Sequence, residues 1–382
     1  MITLVKDTIN KDDINHLISW LQTNPHLTKG PKNIEFEELW SKWLGVNYSV
    51  YVNSGSSANL AMLYALSQWT KLKNKKVVVA SVSWTTTVSP IIHLGMTPIL
   101  CDCNLDNLGV DLKHLEEIFI KENPSVLMIV HVLGFPCDIE KIVALCKKYD
   151  VFLLEDSCEC VGSSINDKKM GTYGTASSFS FYFGHHMSTI EGGMISTNDF
   201  ELYEIIKSIR SHGWDRDLSK TTQESLRRKN KIDDFKSLYT FYYPGFNLRS
   251  TDLQAVIGIQ QLKRIDSFCK KRNENLLLYD SLIKNSYWKI KLSTNTFVSN
   301  FAYPIIHPDI KNVIHSLKNN NVECRPLICG SMGEQPYWVN LYGKCTLPNS
   351  NLVHNYGIYV PNNHEMTPKE IETICKIINQ NL

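Results

Sequence analysis

Between an aromatic run and a pair of glycines, the stretch Ser177–Asn198, SSFSFYFGHHMSTIEGGMISTN, carries two adjacent histidines, His185 and His186. A free imidazole titrates near pH 6.5, so a histidine suits proton abstraction and return near neutrality. A carboxylate, Asp156, ends the apolar stretch Leu153-Leu154-Glu155-Asp156. At the carboxyl edge of a buried strand, where α/β folds gather their ligands, such a group can hold a ring nitrogen in its protonated form; alone it reads equally as a helix cap. Gly55-Ser56-Ser57 lies where a short strand, Tyr48–Val52, turns into a helix. Free N–H groups of a first helical turn and serine hydroxyls make an anion site, or an ordinary cap. Trp84 follows another apolar stretch and offers either a flat platform or a core anchor.

These residues need a scaffold that brings strand ends together. Val77–Ala80, Ile99–Asp102, Val126–Val132 and Val151–Glu155 are apolar without polar alternation, and helical patterns lie between them at Thr86–Leu94, Leu112–Lys121 and Ile139–Lys148. Such an alternation predicts an α/β chain with a mostly parallel sheet covered by helices on both faces. Ser177–Phe183 and Gly193–Ser196 add two strands, and helices are expected at Asp12–Leu21, Asn33–Leu44 and from about Leu60 to Thr70. The polar segment Asp215–Lys236 reads as an exposed loop or lid. After Tyr243-Pro244-Gly245, one long helical pattern from Thr251 to about Ile283 leads into a smaller α+β portion. The expected division is a large domain over 1–245 and a small C-terminal domain over 246–382.

Composition narrows the function classes. Forty Lys and Arg against 38 Asp and Glu leave a net charge of +2, which argues against non-specific nucleic-acid binding. No basic and apolar leader opens the chain, and no apolar run approaches the ~20 residues that span a bilayer. Eleven cysteines without such a leader read as reduced, buried thiols of a cytoplasmic protein. The pairs Cys101/Cys103 and Cys158/Cys160 invite an iron–sulfur reading. Cys160 has no following ligand at cluster-like spacing, so no metal site is expected.

In order and spacing, these pieces resemble the DegT/DnrJ/EryC1/StrS family, pyridoxal-phosphate (PLP) enzymes acting on nucleotide-linked keto sugars. The resemblance implies the PLP-dependent aspartate aminotransferase-like fold (fold type I). It places the cofactor phosphate at Gly55, Ser56, Ser57 and Ser180, and the ring under Trp84. Asp156 then faces the ring nitrogen, and Glu159 lies beside the ring and its 3-hydroxyl. Tyr243-Pro244-Gly245-Phe246-Asn247-Leu248-Arg249-Ser250-Thr251-Asp252-Leu253-Gln254-Ala255 is similar to the family's Y-N-x-R-x-x-D-x-Q-A signature, whose asparagine, here Asn247, reaches the phosphate of the neighbouring subunit. A homodimer with shared active sites is implied.

One position departs from most of the family. Six residues before Glu191-Gly192-Gly193, where the family places the lysine that anchors PLP covalently, stands His185. The run His185-His186-Met187-Ser188-Thr189-Ile190-Glu191-Gly192-Gly193 is similar to that of the family's sugar 3-dehydratase subtype, and His212-Gly213-Trp214 and Glu323-Cys324-Arg325-Pro326 extend the match. The implied activity is removal of the C3 hydroxyl from a nucleotide-linked 4-keto-6-deoxy sugar, hexose or heptose, with GDP the favoured nucleotide. L-glutamate would convert PLP to pyridoxamine phosphate (PMP), and 2-oxoglutarate and ammonia would leave. The role would fit dideoxysugar synthesis for a surface polysaccharide. His185 is the expected base, with His186 a packing residue. His212, Arg249 and Arg325 are candidate substrate contacts. The rival readings are a nucleotide-sugar aminotransferase using Lys168 or Lys169, and a non-catalytic PLP-binding regulator.

Overall fold

The computed structural model describes residues 1–382. Two helices, α1 (Lys11–Leu21) and α2 (Pro31–Leu44), precede β1 (Tyr48–Val52), which runs into α3 (Gly55–Trp69). Strands and helices then alternate: β2 (Lys76–Ala80), α4 (Thr85–His93), β3 (Thr97–Cys101), α5 (Leu112–Glu122), β4 (Val126–Val130), α6 (Ile139–Tyr149) and β5 (Phe152–Asp156). Two short strands, β6 (Ser164–Ile165) and β7 (Lys168–Lys169), lead to the antiparallel pair β8 (Ala176–Ser180) and β9 (Gly193–Thr197), followed by α7 (Phe200–Arg210).

Seven of these strands form one sheet in the order β1-β9-β8-β5-β4-β2-β3. It is parallel from β8 through β3, and β9 runs against both its neighbours. Successive strand residues point to opposite faces, so a sheet covered on both sides needs unbroken apolar strands. Val77 and Val79 of β2 join the core beneath α3 and α7, whereas Val78 and Ala80 join the core beneath α5 and α6. Each fully buried side chain of this size contributes roughly 1.5–3 kcal/mol. The carboxyl ends of β1, β2, β4, β5 and β8 therefore converge on one edge, with rigid layers behind them.

Two distant sequence pieces meet at the start of α2. Asp252 accepts hydrogen bonds from the backbone N–H groups of Gly30 (2.8 Å), Lys32 (3.1 Å) and Asn33 (2.9 Å), capping α2 from outside its own helix. The aspartate of the Asp252-Leu253-Gln254-Ala255 run is thus a structural clamp. Gln254 Nε2 donates to the carbonyl of Glu191 at 2.6 Å, tying the same run to the start of the glycine pair.

Several expected elements change in detail. The segment Asp215–Lys236 is not a loop but carries α8 (Lys220–Asn230) and the short α9 (Asp234–Ser237), capped by Ser219 and Asp233. Asp215 is buried and binds Arg227 Nε at 2.8 Å, which ties the segment down. Its polar helix buries no residue, so it shows no apolar periodicity to read. The expected helix Thr251–Ile283 is two, α10 (Asp252–Leu262) and α11 (Ile265–Leu282). Helix α3 starts at Gly55, five residues before the apolar pattern does. Strand β8 ends at Ser180, opposite Gly193, the first residue of β9, rather than running on to Phe183.

The remaining elements are β10 (Thr296–Phe297), β11 (Tyr303–Ile306), α12 (Ile310–Asn319), β12 (Arg325–Pro326), α13 (Pro336–Tyr342), α14 (Pro348–Tyr356), β13 (Gly357–Val360) and α15 (Pro368–Asn379). Strands β11, β13 and β12 form a second sheet. Its core is continuous with Val82, Leu108 and Val132 of the first half. The two parts pack as one body, with a cleft where β12 faces the edge of the large sheet.

Candidate active site

That cleft holds an open cavity of about 620 Å³. Gly55, Ser56, Trp84, Asp156, Glu159, Ser180, His185 and Arg325 all line it. Each comes from a strand end or from the turn just after one, which is why residues so far apart in sequence meet here.

The floor is built by close approach. A Cβ on Gly55 would fall 2.6 Å from Ser180 Cβ, so only glycine lets the first turn of α3 sit against the end of β8. A Cβ on Gly193 would fall 2.3 Å from the Ser54 carbonyl oxygen, which accounts for the second glycine of the pair. Ser54 caps the helix by accepting from the Ser57 N–H at 3.0 Å, which leaves the N–H groups of Gly55 and Ser56 at the cavity. Ser57 itself is turned into this cap and does not line the cavity. The Ser56 hydroxyl donates to Thr86 Oγ1 at 3.0 Å, joining the first turns of α3 and α4.

Asp156 is almost wholly buried, and three donors orient its carboxylate. Oδ2 accepts from Asn59 Nδ2 at 2.8 Å and from Thr87 Oγ1 at 2.7 Å, and Oδ1 accepts from the Cys158 N–H at 3.2 Å. Sequence reasoning missed Asn59 and Thr87. Their only sequence signal was position, one helical turn into the helices that follow Gly55 and Trp84. Glu159, three residues on, receives a single bond in its place, from the Leu133 N–H at 2.8 Å. Burial pushes its carboxyl up to about 8, and the nearby Asp156 charge adds to the rise. Of the two carboxyl groups at this strand end, one is oriented by three donors and the other, Glu159, is held by one and pushed toward its protonated form.

Trp84 stands at the N-terminus of α4 and remains 53% exposed, an open indole face on the cavity wall. His185 packs against the Phe301 ring at 5.4 Å, and its Nδ1 has no hydrogen-bond partner. Burial pushes the imidazole down to about 4, a fall partly opposed by the Asp156 charge. It is therefore neutral, and able to act as a base, across the neutral range. His186 is fully buried with Nε2 on the Ser299 carbonyl at 2.9 Å, pointing away into the core.

Other expected residues lie elsewhere. His212, Asn247 and Arg249 are absent from the cavity lining and sit on an outer face beyond β1, where Arg249 Nε donates to Asn247 Oδ1 at 3.0 Å. No lysine lines the cavity. Lys169 Nζ binds the Trp43 carbonyl at 2.7 Å, and Lys168 lies over the Tyr173 ring. The cysteines are all free, and no group of three or more His, Cys, Asp or Glu side chains is placed to hold a metal ion.

The model of the DegT/DnrJ/EryC1/StrS aminotransferase family matches residues 7–379. The chain belongs to that family. Among its relatives, GDP-4-keto-6-deoxy-D-mannose 3-dehydratase of Yersinia pseudotuberculosis is 31% identical, over 99% of this chain and 98% of that one. A solved GDP-4-keto-6-deoxymannose-3-dehydratase with a trapped PLP-glutamate geminal diamine superposes with a TM-score of 0.90 at 28% identity, covering 99% of this chain and all of the other. PseC of Helicobacter pylori, an aminotransferase of pseudoaminic acid biosynthesis, superposes at 0.86 with 26% identity, covering 99% and 98%. The fold is thus the aminotransferase-like one shared by these PLP enzymes. The site suits such a cofactor on its own geometry. It offers the first-turn N–H groups of Gly55 and Ser56, which the Ser54 cap leaves free, for a phosphate, a buried and fully oriented carboxylate for a ring nitrogen, and an exposed indole for the ring face.

Proposed function

We propose that this protein is a PLP-dependent 3-dehydratase of a GDP-linked 4-keto-6-deoxy sugar, with L-glutamate as amino donor, working as a homodimer. The observation that carries the reading is the neutral imidazole of His185 facing a cavity that no lysine lines. When bound, PLP supplies an electron sink and carries nitrogen from glutamate to the sugar's C4. Gly55, Ser56 and Ser180 would hold its phosphate, Asp156 its ring nitrogen and Trp84 its face. With no lysine anchor, these contacts alone retain it.

His185 takes a proton on its imidazole and returns it to the oxygen leaving C3, so the hydroxyl departs as water. Glu159, protonated at neutral pH, is a donor beside it. Trp84 and Phe301 keep bulk water from the reacting atoms. Overall the sugar loses one oxygen and is reduced, glutamate is oxidised to 2-oxoglutarate, and its nitrogen leaves as ammonia. In the dimer, Asn247 reaches the neighbouring copy's phosphate site, and His212 and Arg249 face its sugar. Arg325, at the mouth of the same chain's cavity, suits a diphosphate.

The test is incubation with PLP, glutamate and GDP-4-keto-6-deoxymannose, with mass spectrometry of the sugar. Loss of one oxygen alongside stoichiometric 2-oxoglutarate is expected. A 4-amino sugar as the product would instead assign the protein to the aminotransferases. His185→Asn is expected to bind PLP but lower kcat by about 10³-fold, within the range of general-base removal.

A further inference from the structure

Behind His185 lies a buried cation without a counter-ion. Arg272 of α11 is 3% exposed, and no carboxylate lies within ion-pair range of it. Its Nη1 donates instead to main-chain carbonyls of Phe301 (2.9 Å), Asn300 (3.4 Å) and Asn362, while Nε has no partner. Asn362 Nδ2 returns bonds to the Arg272 carbonyl (3.0 Å) and to Asn300 Oδ1 (2.9 Å), and Asn300 Nδ2 reaches the Leu133 carbonyl (2.9 Å). The cluster ties α11 and the end of β13 to the turn after β4. Its product is the fixed segment Ser299–Phe301, which receives His186 on one carbonyl and His185 on one ring.

A buried charge left unpaired is costly, so so dense a set of carbonyl partners for one guanidinium asks for a reason. We propose that Arg272 is a positioning residue for the dehydration: it fixes Phe301 against the His185 ring and places a permanent positive charge behind the base. The proposal rests on His185 being that base.

The other charges facing His185 act from the cavity side. Asp156 and Glu159 stand at the end of β5, with Cys158 between them, and Asp156 attracts a proton to the imidazole. Glu191 and Tyr182 belong to the histidine's own loop; Arg325, Cys329 and Tyr359 stand across the cavity. His186 beside it is held neutral by burial and by Arg272. Arg272 is the one cation behind the ring, opposing Asp156 in front of it.

The experiment follows the His185 ring by NMR in histidine-labelled, PLP-saturated protein, assigned with His185→Asn. Native His185 is expected to stay neutral to below pH 5. Arg272→Met is expected to raise its midpoint by about one unit and to move the acid limb of kcat/KM with it. Arg272→Lys keeps the charge on a shorter side chain that stops short of the Nη1 position among the three carbonyls, so it is expected to keep the midpoint while lowering kcat. An unmoved midpoint in a folded Arg272→Met protein overturns the proposal. Should that variant not fold, a native midpoint in the free-histidine range near 6.5 overturns it. The titration needs no sugar, so its failure is separate from failure of the dehydratase reading, which the product assay decides.

Discussion

The wall from Asp156 to His185 and the face carrying His212, Asn247 and Arg249 are built in opposite ways. On the wall, each polar group that must stay put is buried and bonded inside its own chain: Asp156 has three donors, and His186 is locked on Ser299. On the outer face, Asn247 is exposed, and Trp214 stacks with Arg216 and Phe241 amid exposed Phe235 and Tyr239. An exposed cluster of that kind is typical of a surface that meets another molecule. One region is complete within a chain; the other is presented outward. The contrast separates residues fixed by their own chain from residues on a face left open to a partner.

The strongest way to break the contrast is on the wall itself. Asp156→Ala is expected to cut turnover by about 10²–10³-fold, comparable with loss of a principal electrostatic contact in an active site. Thr87→Val leaves that carboxylate in place with one donor fewer. It is expected to cost about 1 kcal/mol of the same stabilisation, read as a five- to tenfold fall in kcat/KM. Equal effects from the two substitutions would mean that Asp156 serves packing alone.

On the outer face the expected effect is smaller and crosses subunits. Asn247→Ala should weaken PLP affinity by about tenfold, the worth of one hydrogen bond to a charged group. Mixing it with His185→Asn should restore full function to about a quarter of the sites, because a two-fold pair shares residues reciprocally. No recovery on mixing would place Asn247 in service of its own chain.

The pH profile sharpens the comparison further. His185 is depressed to about 4 and Glu159 raised to about 8. The acid limb of kcat/KM should therefore lie well below the free-histidine value of about 6.5, and the alkaline limb near 8. The depressed histidine also carries a sign for stability. The unfolded chain takes up its proton first, so stability should fall as pH drops from about 6.5 towards 4. An acid limb at 6.5 would mean that His185 is more solvated than the fold implies. Smallest of all, Lys169→Met, which removes the bond to the Trp43 carbonyl and the contact over the Trp43 ring, should leave turnover within about twofold and cost about 1–2 kcal/mol of stability, read by thermal unfolding.

Much of the frame was legible in the residues. The unbroken apolar strands announced a sheet covered on both faces, because a strand that alternates polar and apolar residues cannot be buried on both sides. The glycines at positions 55, 192 and 193 and the residues at strand ends announced the cleft. What stayed hidden had no local signature. The pair Asn59 and Thr87 differs from any other helix polar residue only by where its helix happens to point. Helix α8 buries nothing, and so prints no period in its sequence.

By itself the sequence determined which chemistry was on offer: a histidine where a lysine is usual, a carboxylate at a strand end and an anion-ready turn. It also determined the family, because order and spacing survive without coordinates. Only the tertiary structure decided the state of those groups. Protonation depends on how far water is excluded and which charges stand behind a ring, and those distances join Asp156, Glu159 and Arg272 across more than a hundred residues of chain. The bonding of the segment Ser299–Phe301 to the turn after β4, and not the identity of position 185 alone, encloses that imidazole and holds it neutral.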